Sequence, residues 1–162
     1  MTENAETQKE HIGTVTGSPV TVHKQYLKDL SFENPNAPDI LLNVNGRPGM
    51  DMDIALDAHR VENEQFDHFY EVTLGITAKG TREDKTLFIA EISYGAVVSI
   101  EGIEEKNHHP VLFIEVPNLL FPYVRHILAT CSMSGGFTPL QIAPINFRAM
   151  YLQRFGKKKE EG

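Results

Sequence analysis

Histidines and carboxylates are the side chains of this chain that could carry out chemistry, but their spacing does not favour it. His108 and His109 are adjacent, while His59, His68 and Asp57 are scattered along the chain. A metal site needs ligands at a spacing such as i, i+4 on a helix or in paired Cys-x-x-Cys turns, and neither is present. The run His108-His109-Pro110 follows a charged segment, so we predict a solvated turn there and no metal or other cofactor.

The acidic run and the single cysteine also favour structural roles. Asp51, Asp53 and Asp57 have some of the spacing of a calcium loop, but apolar residues alternate with them and no glycine occupies the bend. We predict that they lie on the wet face of a strand. Cys131 lies among apolar residues at helical spacing, which is typical of a small buried side chain. The paired carboxylates Glu104-Glu105 are neighbours in a polar segment, as are the two near the C-terminus, and no nucleophile or phosphate-binding motif is present. An enzyme is therefore not expected.

Composition excludes several other classes of protein. The 162 residues include 22 Asp and Glu against 15 Lys and Arg, a net charge of -7 that repels phosphate backbones and disfavours a nucleic-acid partner. No apolar run approaches the roughly 20 residues that cross a bilayer, and residues 1–11 do not resemble a signal peptide. The single cysteine excludes an internal disulfide. We expect a cytoplasmic protein that does not insert directly into the membrane.

Alternating side chains predict a sheet. From Phe66 to Ala78 the even-numbered residues are mostly apolar and the odd-numbered ones mostly polar. The pattern resumes over Thr86–Ile100 after turn residues at Gly80–Asp84. Shorter alternating runs at Met50–Leu56 and Val20–Phe32 add two strands. We predict four antiparallel strands whose even-numbered residues, Tyr26 of the first strand among them, face inward.

Two C-terminal helices are predicted to pack on one face of this sheet, giving an α+β fold. The first spans Leu119–Met133, with Asn118 as its cap and Pro122 in its first turn. The second runs from about Asn146 to Phe155 and depends on packing, since ten helical residues are marginal alone. The segment Val111–Pro117 is left open between a strand and an irregular chain.

The polar ends are expected to lie outside the folded domain. Residues 1–18 are polar and interrupted by glycines, so we predict a disordered leader. Residues 156–162 contain no apolar side chain and are predicted to form a flexible tail. Between them there is no internal repeat or shift in composition, which indicates a single domain over residues 19–155.

Apolar residues are unusually frequent in two segments between predicted elements, Pro35–Gly49 and Gly135–Ile145. Loops normally run over the surface. Two interpretations stay open, since these segments either pack down as core or form an extended apolar groove for flexible ligands. On the wet face of the Thr86–Ile100 strand, apolar side chains that include Leu87 flank Glu91, which suggests a surface for a partner.

Five segments carry a resemblance to a known family. They are Lys28–Pro38, Tyr70–Val72, Gly102–Glu104, Pro117–Arg125 and Leu140–Phe147. In this order and at this spacing they resemble SecB, the family of bacterial protein-export chaperones. The resemblance covers residues from about 20 to 155. It implies a four-stranded antiparallel sheet with two helices on one face, assembled as a homotetramer that is a dimer of dimers.

The resemblance also implies a function without catalysis. Family members bind unfolded precursor proteins in a long apolar groove, keep them competent for translocation and deliver them to the motor SecA. The groove is formed by the first crossover loop, the second helix and the loop before it, which correspond here to Pro35–Gly49, Asn146–Phe155 and Gly135–Ile145. The corresponding groove residues here are Ile40, Leu42, Val44, Phe137, Leu140, Ile142, Phe147, Met150 and Tyr151.

Family contacts with SecA, through its C-terminal zinc-bearing tail, map onto four positions, Asp29, Glu33, Ile89 and Glu91. All four positions are odd, so we expect them on the wet face of the sheet. A toxin-linked or stress-linked chaperone of the same fold is the alternative function, differing in its client, and an enzyme is a remote third.

Overall fold

A computed structural model describes residues 17–156, which form a four-stranded sheet and three helices. The sheet has the order β1-β4-β3-β2, with antiparallel neighbours, and its strands are β1 (Val20–Glu33), β2 (Gly49–Arg60), β3 (Phe69–Arg82) and β4 (Lys85–Ile100). The helices are α1 (Asp39–Leu42), α2 (Glu105–Ser134) and α3 (Phe147–Phe155). The predicted leader and tail lie outside the described residues, apart from residues 17, 18 and 156. The predicted α+β fold is confirmed.

The core lies between the two central strands and α2. Even-numbered side chains of β3 and β4 face the helices, on what we call the inner face, and odd-numbered ones lie on the outer face. Near the turn, a register shift between Gly80 and Thr81 leaves Leu87 as an extra residue of β4, which departs from this rule. The inner residues Val72, Leu74, Ile76 and Ala78 are fully buried, or nearly so. Helix α2 covers them with residues four apart, which share one helical face. These residues are Val116, Leu120, Val124 and Leu128, each without exposed surface.

A two-residue turn joins β3 to β4. Arg82 pairs with Lys85, and Glu83 and Asp84 between them have φ angles of 49° and 63°. Turns with two positive φ angles match the right-handed twist of the flanking strands. The turn predicted at Gly80–Asp84 is therefore shorter than expected, because pairing continues to the last residue of β3.

Helix α2 begins well before the predicted start at Leu119. It starts at Glu105 and includes a π-helical turn at Val111–Glu115, so the segment Val111–Pro117 that was left open from the sequence is helical. The predicted cap Asn118 and the predicted first-turn residue Pro122 therefore lie inside the helix, and both are exposed. The β-branched and aromatic residues of this segment obscured its helical conformation, because burial against the sheet outweighs intrinsic propensity.

By length and composition alone, α2 could cross a membrane, although half of its most apolar window is buried inside the fold. We did not predict this, because its apolar residues are spread at helical spacing rather than in one run. A helix in the core of a folded domain meets the same criterion, so the observation carries little weight.

The predicted solvated turn at His108-His109-Pro110 is wrong. These residues belong to α2, and His108 is buried. Its Nε2 lies 3.0 Å from the Ile103 carbonyl oxygen, which only accepts, so Nε2 carries the proton. Nδ1 then accepts a hydrogen bond from the Tyr70 hydroxyl at 2.9 Å. Both ring nitrogens therefore have a hydrogen-bond partner, and these contacts tie the start of α2 to β3.

Helix α3 agrees with its prediction. Asn146 is its N-cap, and the Asn146 side chain accepts a hydrogen bond from the Ala149 N–H at 2.9 Å. Phe147 is buried and meets Phe121 of α2 edge to face, with ring centroids 6.3 Å apart. Packing on α2 therefore holds this nine-residue helix in place.

Strand β1 contains two bulges that the sequence did not predict. Val22 pairs with Val98 and Phe32 pairs with Ala90, so ten steps along β1 match eight along β4. The register shifts between Val22 and Lys24 and again after Leu27. Each bulge exchanges the inner and outer positions of the residues that follow it. Tyr26, which lies between the bulges, is consequently on the outer face, and its predicted inward position is wrong.

Candidate functional site

The two apolar loop segments, Pro35–Gly49 and Gly135–Ile145, meet at a cleft that both of them line. Leu41 and Val44 of the crossover loop face Phe137 and Leu140 of the segment before α3. The cleft has a volume of about 320 Å³, and its floor includes Phe88 of β4. It is apolar and open to solvent, as expected of a site for a flexible apolar chain.

A second cleft lies between α3 and the edge strand β2. It has a volume of about 450 Å³ and is lined by Ile54 and Leu56 of β2, Phe113 of α2, and α3 side chains that include Met150 and Tyr151. Its walls are aromatic and aliphatic side chains. The residues of β2 and α3 that line it are half-buried or exposed.

Strand β2 connects the two clefts. Met50 lines the first cleft, Ile54 and Leu56 line the second, and Met52 lies between them on the same face of the strand. Six residues of strand extend about 20 Å, and the flexible thioethers of Met50 and Met52 adapt to different shapes. We call this continuous surface the apolar groove.

Some of the predicted groove residues line one of the two clefts, and the others do not. Ile40, Val44, Phe137 and Leu140 line the first cleft, and Met150 and Tyr151 line the second. Leu42 lies exposed in the crossover loop, while Ile142 and Phe147 are buried in the core and line neither cleft. Ile142 therefore packs as core, whereas the loop residues that line the first cleft are consistent with the groove interpretation, which stays a prediction.

The sequence did not indicate that β2 contributes to the groove. The alternation of Met50, Met52, Ile54 and Leu56 predicted an inward face, but β2 is an edge strand that α3 covers only in part. Met50 and Met52 consequently remain exposed. The alternation was visible in the sequence, but whether it marks a core face or an exposed apolar surface depends on which strand lies at the edge of the sheet.

Polar contacts hold the two sides of the groove. Arg82 Nη2 donates hydrogen bonds to the carbonyl oxygens of Ile40 and Asn43, each at 2.6 Å, which fixes the crossover loop to β3. On the other side, His109 Nδ1 lies 2.9 Å from the Tyr151 hydroxyl and connects α2 to α3. Partial burial and the nearby Arg154 guanidinium lower the pKa of His109, so its neutral form is favoured.

The four residues predicted for the wet face lie together on the outer face, and we call them the acidic patch. Ser31 lies between Asp29 and Glu33 on β1 and pairs with Glu91 of β4. Strand geometry places the Cα atom of Glu91 about 8 Å from those of Asp29 and Glu33, which are about 13 Å apart. Ile89 pairs with Glu33 and is half-buried, while the three carboxylates are exposed.

Of two other predictions for the sheet, the one for Leu87 is wrong and the one for the acidic run of β2 agrees with the structure. Leu87, expected on the wet face beside Glu91, is buried and lines the first cleft. Asp51, Asp53 and Asp57 are exposed on the outer face of β2, as the alternation predicted.

The metal-ligating side chains and the cysteine are the remaining candidates for chemistry. Within residues 17–156 no three His, Cys, Asp or Glu side chains lie close enough to hold a metal ion. Cys131 is half-buried on α2, and burial raises the pKa of its thiol, which disfavours the reactive thiolate.

Comparison with known proteins gives the class of protein to which these surfaces belong. The family model of the preprotein translocase subunit SecB matches residues 14–158. The protein-export protein SecB of Granulibacter bethesdensis is 41% identical over 155 residues, covering 92% of this chain and 90% of that protein. The protein of the same name from Rhodospirillum rubrum is 42% identical over 137 residues, covering 85% and 82%. The chain belongs to the SecB family of protein-export chaperones.

A solved structure agrees with the fold. The SecB-like chaperone of Mycobacterium tuberculosis, in complex with a ChAD peptide from the HigA1 antitoxin, superposes with a TM-score of 0.63. The match covers 78% of this chain and 90% of that one, at 12% sequence identity. The likeness shows that the two chains share a fold.

Proposed function

We propose that this chain holds unfolded precursor proteins in the apolar groove, keeps them competent for translocation and passes them to SecA. The carrying observation is the continuous apolar surface that β2 makes between the two clefts, in a chain of the SecB family. The function requires no chemical step, so the chain acts as a chaperone and not as an enzyme. We place it in the cytoplasm, with residues 19–155 as its single folded domain.

Affinity for clients arises from burial of apolar surface rather than from a recognised sequence. A client segment that buries ~500 Å² at ~25 cal/mol per Å² gains roughly 12 kcal/mol before costs. Ordering a flexible segment takes back much of this gain, which leaves tight but reversible binding. Folded proteins hide such segments and therefore compete poorly for the groove.

We expect the chain to discriminate by folding state. An export precursor kept unfolded should bind at least about 100-fold more tightly than the same precursor after folding, because folding buries the segments that the groove binds. Fluorescence titration with one labelled precursor in both states measures this ratio. Equal affinity for the two states would contradict the proposed function.

Sequence similarity favours an export role over a toxin-linked one. The export relatives are 41% and 42% identical, whereas the chaperone bound to an antitoxin peptide is 12% identical. The alternative predicts an antitoxin-like client. Isolating the polypeptides that this chain binds in native cytoplasm, and identifying them, distinguishes the two roles. Export clients carry uncleaved signal peptides.

We also propose that the acidic patch receives SecA. Three exposed carboxylates surround the half-buried Ile89, a surface that suits a small basic module with some apolar area. The zinc-bearing C-terminal tail of SecA is the partner implied by the family. Because the patch lies on the outer face and the groove on the inner side, the two partners can be bound together.

Assembly as a homotetramer is supported by apolar side chains that one chain leaves uncovered. Leu27 and Leu30 of β1 are exposed on the inner face, and Leu119 and Tyr123 of α2 are exposed as well. The Tyr123 ring stacks on Tyr94, with centroids 6.0 Å apart, which connects the two exposed sets. A second copy of the chain would cover this surface and form a dimer, and the dimer of dimers is the assembly that the family resemblance implies.

We expect a stable particle of about 73 kDa, four times the chain mass of 18.2 kDa. Sedimentation equilibrium at micromolar concentration measures it. Tyr123→Glu should reduce the particle to smaller species, because it buries a charge in the interface, whereas Leu152→Glu, on the exposed side of α3, should not. A monomeric wild-type protein would refute the assembly.

A further inference from the structure

We propose that Tyr26 is a positioning residue of the acidic patch. Its side chain fixes the position of the second bulge of β1, and this keeps Asp29 on the outer face. The inference rests on the proposed docking of the SecA tail at that patch. Tyr26 determines the position of Asp29 alone, and other contacts hold Glu33 in place.

Tyr26 crosses β4 to reach a shared carboxylate. It pairs with Gly95 of β4, and its hydroxyl donates a hydrogen bond to Glu71 of β3, the next strand. Lys28 Nζ lies 2.8 Å from the same Glu71 oxygen, and His59 Nε2 of β2 lies 3.1 Å from the other oxygen. Glu71 therefore joins side chains from two other strands across the outer face.

The protonation states of this cluster fit these contacts. Hydrogen bonds from Lys28 and then from Tyr26 lower the pKa of Glu71, so it stays ionised as an acceptor. Partial burial and the adjacent Glu71 carboxylate raise the pKa of Tyr26 to about 12, so its hydroxyl stays a donor.

Gly95 provides the space that Tyr26 occupies. A Cβ atom at this position would lie 2.8 Å and 2.9 Å from two carbons of the Tyr26 ring, closer than a side chain tolerates. Gly75 lies on the same face of β3, where an added Cβ would meet only ordinary contacts at 3.5 Å or more. The glycine at 95 is thus needed for the ring, and Gly75 is a matched position without that role.

The second bulge lies directly beside these contacts. The register shifts between Leu27 and Asp29, so Lys28 is the extra residue, and Glu71 holds both Lys28 and Tyr26. If the bulge moved two residues toward Phe32, Asp29 would pair with Ile92 and take the inner position that Leu30 has now. The contacts with Glu71 oppose that movement.

Glu33 depends on a different anchor. The neighbouring Phe32 ring stacks on Phe88 with centroids 5.6 Å apart, and Gly135 lies so close that an added Cβ would approach the ring to 2.4 Å. Asn34 Nδ2 also donates a hydrogen bond to the Gly135 carbonyl oxygen at 2.9 Å. The C-terminal end of β1 therefore keeps its register when Tyr26 is changed.

A double-mutant cycle on the full-length protein tests the inference, with calorimetric titration of the isolated SecA tail as the readout. We expect Asp29→Asn to weaken binding about fivefold in the wild-type background. In the Tyr26→Ala and Gly95→Ala backgrounds the same substitution should have almost no effect, because Asp29 no longer faces the tail. Glu33→Gln should cost about fivefold in all backgrounds, and Gly75→Ala should behave as wild type.

A role for Tyr26 in stability alone would not couple it to one carboxylate and spare the other. The inference is overturned if Asp29→Asn costs the same factor with and without Tyr26. If both Asp29→Asn and Glu33→Gln leave wild-type binding unchanged, the docking proposal fails and this inference fails with it. Tyr26→Phe, which keeps the ring and loses the hydrogen bond to Glu71, replaces Tyr26→Ala if that variant does not assemble, and it should reduce the coupling.

Discussion

Glu33→Lys and Glu91→Lys should each weaken binding of the SecA tail by at least about 100-fold, because a like charge facing a basic partner costs several kcal/mol. The two carboxylates lie on neighbouring strands around Ile89, so each substitution places an ammonium group within the acidic patch. Wild-type binding should also weaken with added salt, since exposed charges are screened. Titration calorimetry at two salt concentrations measures both effects.

Asp53→Lys is the matched control for these reversals. Asp53 is exposed on the same outer face, but it lies on β2 at the opposite edge of the sheet. The control should keep most of the affinity, and all three variants should keep wild-type assembly and client capture, because these side chains face away from the core and the groove. Wild-type affinity in both reversals would mean that the handover to SecA uses another surface.

Alternation predicted the sheet because the strands differ sharply between their two faces. In β3 the even-numbered residues from Tyr70 to Gly80 are buried and the odd-numbered ones are half-buried or exposed, so the period of two reports the fold directly. The same reasoning placed Asp29, Glu33, Ile89 and Glu91 on one face. That result holds because β1 has two bulges, and the second restores the alternation that the first one inverts.

The errors arose where a distant contact decides the conformation. Tyr26 faces outward because Gly95 of β4 leaves space for its ring, and no local pattern in β1 records that space. His108 is helical and buried because Tyr70 and the Ile103 carbonyl satisfy both ring nitrogens. In each case the determining partner is supplied by another part of the fold, so the local sequence favoured the wrong position.

The groove was the hardest site to delimit from the sequence, because apolar residues in loops serve both the core and the ligand surface. Ile142 retains only 4% of its surface, whereas Leu42 and Val44 retain 76% and 74%. All three carry similar side chains in similar loops, and burial alone separates them. Ile142 is therefore unsuitable for testing client binding, since its loss would destabilise the core by about 2–5 kcal/mol.

The exposed groove residues Val44, Met50 and Met52 provide the decisive test of the groove. Substitution of all three by serine should weaken capture of an unfolded precursor roughly 100-fold, because each side chain loses about 1 kcal/mol of apolar burial against the client. None of the three is buried in the free chain, so the variant should keep the wild-type fold and assembly. Fluorescence titration with a labelled unfolded precursor measures the loss.

Leu152→Ser is the matched control, because Leu152 is apolar and 57% exposed but lines neither cleft. It should bind the precursor as the wild type does, although it removes a comparable side chain from the surface. Binding of the SecA tail should be unchanged in both variants, since the acidic patch lies on the opposite face. Unchanged capture by the triple variant in its wild-type assembly state would contradict the groove, whereas equal losses in the variant and the control would indicate nonspecific adsorption to exposed apolar surface. Only a loss confined to the triple variant fits a groove that follows β2 from the crossover loop to α3.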